Sequence, residues 1–287
     1  RRAMSGQLSG ARPLVVSFLA ALCACGPPVD RQPLDIGTTT SVQHSGLLDV
    51  LLPAFRAQSG VDVRVHAAGS GLALQMMARQ MVDLVISHAP ETEARFLDEH
   101  PDWLYRKVAY NEFVIVGPRD DPAHVAHARD ATDAFALIAR SRAHFVSRGD
   151  GSGTHEREEW LWRAAGVKPI REHLVVSGRG MALALRHADE IRGYTLSDEA
   201  TFWQLGPDLD LIILYQGDAR LLNTYAVVDA RRNAAAQIFG EWLTKGDGRN
   251  RMASFTAQGR TVFWVWPDHC PAGRPDDKPC GRRPISP

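Results

Sequence analysis

His144-Phe145-Val146-Ser147-Arg148-Gly149-Asp150-Gly151-Ser152-Gly153-Thr154-His155 runs straight into Glu156-Arg157-Glu158-Glu159-Trp160-Leu161-Trp162. An apolar strand, a glycine-rich turn and a helical pattern follow one another here, the unit from which α/β folds are assembled. The helix start leaves its first N–H groups unpaired and carries a partial positive charge, so an oxyanion can dock there without a metal. Arg148 adds a forked, permanently charged donor, Ser152 and Thr154 add hydroxyls, and Gly153 lets backbone N–H groups come close. Ser-Gly-Thr before a helix is also a routine cap. The stretch gains weight from a second segment of the same build, Gly37-Thr38-Thr39-Thr40-Ser41, which follows Leu34-Asp35-Ile36 and precedes the amphipathic run Leu47, Leu48, Val50, Leu51, Leu52 and Phe55. Two hydroxyl-rich helix starts can clamp one anion from opposite sides.

Outward from these two stretches, short β-branched runs alternate with helical periods, which predicts α/β architecture. Strands are expected at 34–36, 61–65, 84–86, 113–116, 144–146 and 211–214, and helices at 46–58, 71–79, 132–140, 156–165, 181–187 and 234–245. Gly117-Pro118 and Asp120-Asp121-Pro122 interrupt the chain after a strongly apolar strand, and a return is expected near Asn223-Thr224-Tyr225-Ala226-Val227-Val228. These breaks predict two lobes joined by two crossovers. Residues 34–117 and 223–266 form lobe 1, 118–222 lobe 2, and 267–287 a Pro-rich tail.

The ends of the chain speak to its compartment. Arg1, Arg2 and Arg12 precede an apolar run from Leu14 to Ala24, too short to span a bilayer and suited to a signal-peptide core over 1–24, with Met4 as a candidate start. The run ends in Leu22-Cys23-Ala24-Cys25-Gly26, similar to the lipobox of bacterial lipoproteins, and Cys25 is the expected lipidation site. Export then leaves Cys270 and Cys280 as an even pair expected to form a disulfide, the alternative being a zinc site to which His269 adds one ligand. Removing the signal leaves 30 basic against 33 acidic residues, so nothing marks the protein for nucleic acid.

Gly37-Thr-Thr-Thr-Ser41, Ser45-Gly-Leu-Leu48, Leu52-Pro-Ala-Phe55, His88-Ala-Pro90, Asn111-Glu-Phe-Val-Ile-Val-Gly-Pro118, Ser147-Arg-Gly-Asp150, Ser152-Gly-Thr-His155 and Gly193-Tyr-Thr-Leu196 together resemble the tungstate-binding proteins of bacterial ABC importers. The resemblance runs from about Leu34 to Phe263. It implies a two-lobed periplasmic binding protein with a ligand cleft between the lobes, holding tungstate, or less readily molybdate, there and delivering it to a permease; with the signal and lipobox, the expectation is a monomer that is lipid-anchored to a membrane or secreted. It implies no cofactor, no bound metal and no catalysis. Gly69-Ser70-Gly71 stands where the family usually has Gly-Thr-Gly, which keeps the hydroxyl, and the Cys270–Cys280 tail lies outside the pattern.

Tungstate is a tetrahedral dianion without a proton at neutral pH, so its site is expected to supply donors only. Thr39, Thr40, Ser41, Ser70, Arg148, Ser152, Gly153 and Thr154 are the expected ligand set, with one of the first three capping its own helix. Arg148 has a competing role as a surface salt bridge to Asp150. Asp83-Leu-Val-Ile-Ser-His-Ala-Pro90 resembles the segment of phosphate-binding proteins in which a carboxylate at the position of His88 accepts the proton of hydrogen phosphate. His88 is instead expected to be a packed, neutral imidazole. Molybdate or sulfate reception, an anion sensor and a serine hydrolase using Ser152, His155 and Asp150 are the competing functions. The last lacks a Gly-x-Ser-x-Gly elbow, and its three residues sit too close in sequence to align.

Overall fold

The structure, a computed structural model, describes residues 32–178 and 180–280. The expected signal segment and Cys25 lie outside the described residues, as does the end of the tail. Among the described residues no helix is long and apolar enough to cross a membrane.

The strands are β1 Leu34–Thr39, β2 Val63–Ala68, β3 Leu84–Ser87, β4 Leu104–Pro118, β5 Phe145–Ser147, β6 Leu174–Val176, β7 Tyr194–Asp198, β8 Leu211–Tyr215, β9 Leu222–Asp229, β10 Thr256–Ala257, β11 Arg260–Thr261 and β12 Trp264–Val265. The helices are α1 Thr40–His44, α2 Leu47–Ser59, α3 Ser70–Ala78, α4 Pro90–Glu99, α5 Ala131–Ser141, α6 Gly153–Ala164, α7 Met181–Glu190, α8 Glu199–Leu205, α9 Ala234–Lys245 and α10 Asp247–Ser254. The order β2-β1-β3-β9-β4-β7-β5-β6 is continuous, with β12 and β8 each paired to β4. β1, β2 and β3 are parallel, as are β5, β6 and β7, while β9 runs antiparallel to both β3 and β4.

β4 is the element that makes two lobes out of one sheet. Leu104–Glu112 pairs with β9, whereas Phe113–Pro118 pairs with β7 and β8. The change of partner falls at Glu112/Phe113, ahead of the Gly117-Pro118 break that the sequence suggests. The physical reason is that the run Phe113–Val116 is buried throughout, and a strand covered on both faces shows no break in periodicity where its neighbour changes.

Each lobe carries helices on both faces of its strands. In lobe 1, Leu47, Leu51 and Phe55 of α2 meet Phe239, Trp242 and Leu243 of α9 on one face, and Ala73, Leu74 and Met77 of α3 meet Phe96 of α4 on the other. In lobe 2, Phe135 and Ile138 of α5 pack on Leu161 and Trp162 of α6, while Met181 and Leu185 of α7 pack with Phe202 of α8 opposite. This arrangement places the helix starts at the carboxyl ends of the parallel strands, where open α/β sheets hold their ligands.

Candidate functional site

Four helix starts converge where the lobes meet: α1 and α3 from lobe 1, α6 and α7 from lobe 2. Each follows a strand through a turn built on small residues. At α6 a Cβ on Gly153 would collide with the carbonyl oxygen of His88, so glycine is what lets this turn reach lobe 1. A Cβ on Gly69, which precedes α3, would lie 3.0 Å from the carbonyl oxygen of Asp150.

Arg148 stands at the centre with 0% of its surface exposed. Its Nε and Nη2 donate to Asp150 Oδ2 at 3.2 and 2.6 Å, while Nη1 lies 3.4 Å from both Ser41 Oγ and Met181 Sδ. The salt bridge to Asp150 therefore exists, but it is buried rather than on the surface. A charge so enclosed requires a partner, because leaving it unpaired costs several kcal/mol. Asp150 is pinned in turn. Ser152 N donates to its Oδ1 at 3.1 Å and Gly180 N to its Oδ2 at 3.2 Å. Burial alone would raise the Asp150 carboxyl; the Arg148 charge and these hydrogen bonds outweigh it and hold it below the usual carboxylate range. One edge of the guanidinium is thus fixed by lobe 2, and the Nη1 corner is turned toward lobe 1.

The hydroxyls divide into two groups. Thr39 accepts from Val42 N at 3.2 Å and Ser152 from His155 N at 3.3 Å, so each caps its helix. Ser70 Oγ and Thr154 Oγ1 are buried without a hydrogen-bond partner. Such groups are rare in native structures, since an unsatisfied buried hydroxyl costs about 1–3 kcal/mol. Thr40 is half-buried, and its Oγ1 lies 3.1 Å from where a Cβ on Gly180 would stand. Seven of the eight residues proposed from the sequence therefore lie at three of the four converging helix starts, and Arg148 lies in the turn between β5 and α6.

Sequence reasoning missed the fourth. Gly180, in the left-handed region at φ 83°, leads into Met181 at the start of α7. The signal was present in Gly178-Arg179-Gly180 ahead of a helical period. The expectation of donors alone also needs correction, because two carboxylates stand close to Arg148. Asp150, expected only as a surface partner of Arg148 or as part of the competing hydrolase triad, is one of them. Asp198, wholly buried, caps α8 by accepting from Thr201 N at 2.9 Å, and burial pushes its carboxyl up toward the neutral form. Thr201 in turn donates from its hydroxyl to the Ser41 carbonyl at 3.4 Å.

His88 is the packed, neutral imidazole expected of it. It is 1% exposed and stacks on Tyr225, with Nδ1 3.1 Å from Asn223 Oδ1. Burial, then the Arg148 charge, push its pKa down to about 4. Beside it, Glu156 of α6 reaches across to lobe 1. Its carboxylate accepts from Glu91 N at 2.9 Å, Thr92 N at 3.0 Å and Thr92 Oγ1 at 2.6 Å, capping the start of α4.

Two lobes on a shared sheet, with a buried guanidinium among converging helix starts at their junction, are the architecture of a class, the solute-binding proteins. The PBP superfamily domain matches residues 33–247. The tungstate-binding protein TupA of Peptoclostridium acidaminophilum is 38% identical over 72% of this chain and 76% of its own length. Among solved structures, the tungstate ABC transporter protein of Geobacter sulfurreducens superposes with a TM-score of 0.71 at 38% identity, covering 78% of this chain and 99% of the other. The tungstate-binding protein TupA of Desulfovibrio alaskensis G20 gives 0.66 at 33%, covering 81% and 98%. The chain belongs to the PBP superfamily and, within it, to the family of these tungstate-binding proteins.

Proposed function

We propose that this protein captures tungstate outside the cytoplasm and hands it to the permease of an ABC importer, without chemistry of its own. The observation that carries the reading is the guanidinium of Arg148, fully buried and oriented by Asp150, with the unpartnered hydroxyls of Ser70 and Thr154 on helix starts from opposite lobes. A tetrahedral oxyanion supplies acceptors in several directions at once, which is what these donors lack. Both carboxylates nearby are accounted for. Asp150 already accepts four hydrogen bonds, and Asp198 is committed to the α8 cap through Thr201 N, with burial raising its carboxyl above the ordinary carboxylate value.

The ligand set in this reading is Ser41, Ser70, Arg148, Gly153 and Thr154, with Thr39 and Ser152 serving through the backbone N–H groups that their caps hold in place. Thr40 closes against Gly180. Lobe 1 and lobe 2 close over the anion by bending at β4 and β9. Calorimetric titration of the mature protein with tungstate, molybdate, sulfate and phosphate tests the reading. Tungstate binding at least tenfold tighter than phosphate is the expected result, and equal affinities would remove it. Anchoring through Cys25 is tested separately: Cys25→Ser releases the protein to the soluble fraction, and a wild type already soluble after export rules the anchor out.

A further inference from the structure

The site does not use the tail, and the tail is built onto the crossover. β12 pairs antiparallel with Ala109 and Tyr110 of β4. Just before the tail Trp266 N donates to the Val108 carbonyl at 2.9 Å, and within it the Ala272 carbonyl accepts from Lys107 N at 2.8 Å, so the tail is held on β4 backbone from both sides. Cys270 and Cys280 are joined by a disulfide, with Cα atoms 5.6 Å apart, which closes this segment on itself. The pairing commits both sulfurs, so the zinc alternative keeps His269 alone.

The tail also has a small core of its own. Tyr110, Trp266 and Cys270 are buried together, with Leu222, Trp264 and Ala272 against them. The Tyr110 and Trp266 rings meet edge to face at 6.1 Å, and Trp266 Nε1 donates to the Pro271 carbonyl at 3.0 Å. Two of these contacts come from the crossover strands. Tyr110 sits opposite Thr224, and Leu222 opposite Glu112, directly before β4 changes partners at Phe113.

We infer that the disulfide-closed tail, residues 267–280, braces the hinge and slows both opening and closing of the lobes. Bending at Asn111–Phe113 and Leu222–Thr224 changes the twist of strands whose outer surface this small core covers. The disulfide keeps that core from unravelling, because the loop it closes cannot gain the entropy of a free chain. A brace docked on the hinge itself raises the barrier between the open and closed forms without favouring either. The inference rests on the closure proposed above, and one of its readouts needs no ligand.

The test compares wild type with Cys270→Ser/Cys280→Ser by amide hydrogen exchange and by stopped-flow mixing with sodium tungstate. Exchange at residues 110–112 and 222–224 is expected to rise about tenfold while α5 amides stay unchanged, since opening is local. Tungstate association and dissociation rates rise together, about threefold, with Kd held within about twofold. If exchange changes only within 267–280, or rises equally in α5, the tail is a structural appendage and the brace is wrong. Should the double variant fail to fold, the folded wild type is reduced with a dithiol, which gives two hydrogens to the tail sulfurs and closes its own ring disulfide. The same exchange readout then decides. A wild type that ignores tungstate overturns the proposed ligand, and the exchange result still judges the brace.

Discussion

The two halves of the site are made differently. Lobe 2 supplies a charge already balanced and fixed: Arg148 against Asp150, with Asp150 held by Ser152 N and Gly180 N. Lobe 1 supplies neutral hydroxyls, of which Thr39 is spent on a cap, Ser41 meets Arg148, and Ser70 has no partner. Hydrogen bonds act only near 3 Å. On the proposed reading the comparison therefore implies an order of events: the guanidinium fixed in lobe 2 orients the anion, and the hydroxyls of lobe 1 contribute when the cleft has closed.

Arg148→Ala is the hardest test of that division. Truncating it removes the cation and leaves Asp150 buried without its partner, a change that typically costs about 2–5 kcal/mol. Tungstate affinity is expected to fall at least about tenfold, equivalent to about 1.4 kcal/mol. Arg148→Lys recovers part of this, because an ammonium keeps the charge and loses the planar fork that Asp150 holds. Titration of both variants, with circular dichroism to confirm folding, checks it. Wild-type affinity in folded Arg148→Ala would place the anion elsewhere and erase the asymmetry between lobes.

The asymmetry was only half legible in the sequence. Glycine-rich turns ahead of helical periods expose where backbone N–H groups are free, and Arg148, Ser152 and Thr154 stand out within one short stretch. What the sequence does not display is which hydroxyl is consumed locally. Thr39 and Ser152 look like Ser70 and Thr154 until helix geometry assigns the caps. Long-range partners are equally hidden: the contact between Arg148 and Ser41 spans 107 positions, and that between His88 and Asn223 spans 135. The fold was more legible, because its periodicities are local. Even so, α1, α4, α8, α10, the first half of β4, and the strands β6, β7 and β9 to β12 escaped. Acidic α4 and polar α10 carry few apolar residues, and Lys107, Asn111 and Glu112 interrupt β4 where it is nonetheless buried.

The junction between the lobes is expected to respond to acid. His88 has its folded pKa lowered from 6.5 to about 4, so between these values the unfolded chain binds a proton that the native one refuses. The associated stability is present above pH 6.5 and is lost as pH falls toward 4, about 3 kcal/mol across the window. Urea unfolding at pH 7 and pH 4.5 measures it, and His88→Gln supplies the control, since that variant should lose less stability over the same interval. A wild type and variant with parallel pH profiles would mean that His88 titrates normally, and that the junction is wetter than its packing against Tyr225 and Asn223 indicates.

Glu156 ties the two halves together, so its removal should blur them. Glu156→Ala takes away the acceptor of three hydrogen bonds at the start of α4. A partly exposed carboxylate in this setting contributes about 1–2 kcal/mol. The expected effect is about fivefold weaker tungstate binding, expressed as faster dissociation with the association rate little changed. Loss in the association rate instead would assign Glu156 to steering rather than to holding the closed form.

The finest division lies between two serines. Ser152 on lobe 2 spends its hydroxyl on His155 N, whereas Ser70 on lobe 1 keeps its hydroxyl buried and unpartnered. Ser152→Ala should therefore lower stability by about 1 kcal/mol, the usual loss of an N-cap. Ser70→Ala removes a group that gains nothing in the ligand-free fold, so stability should hold or rise slightly. Its loss should appear instead in tungstate affinity, about threefold to tenfold, the size of one neutral hydrogen bond. Thermal unfolding with and without tungstate separates the two. Should Ser70→Ala lower stability and leave affinity intact, Ser70 would be a packing residue, and the lobe 1 half of the site would rest on Ser41 and backbone N–H groups alone.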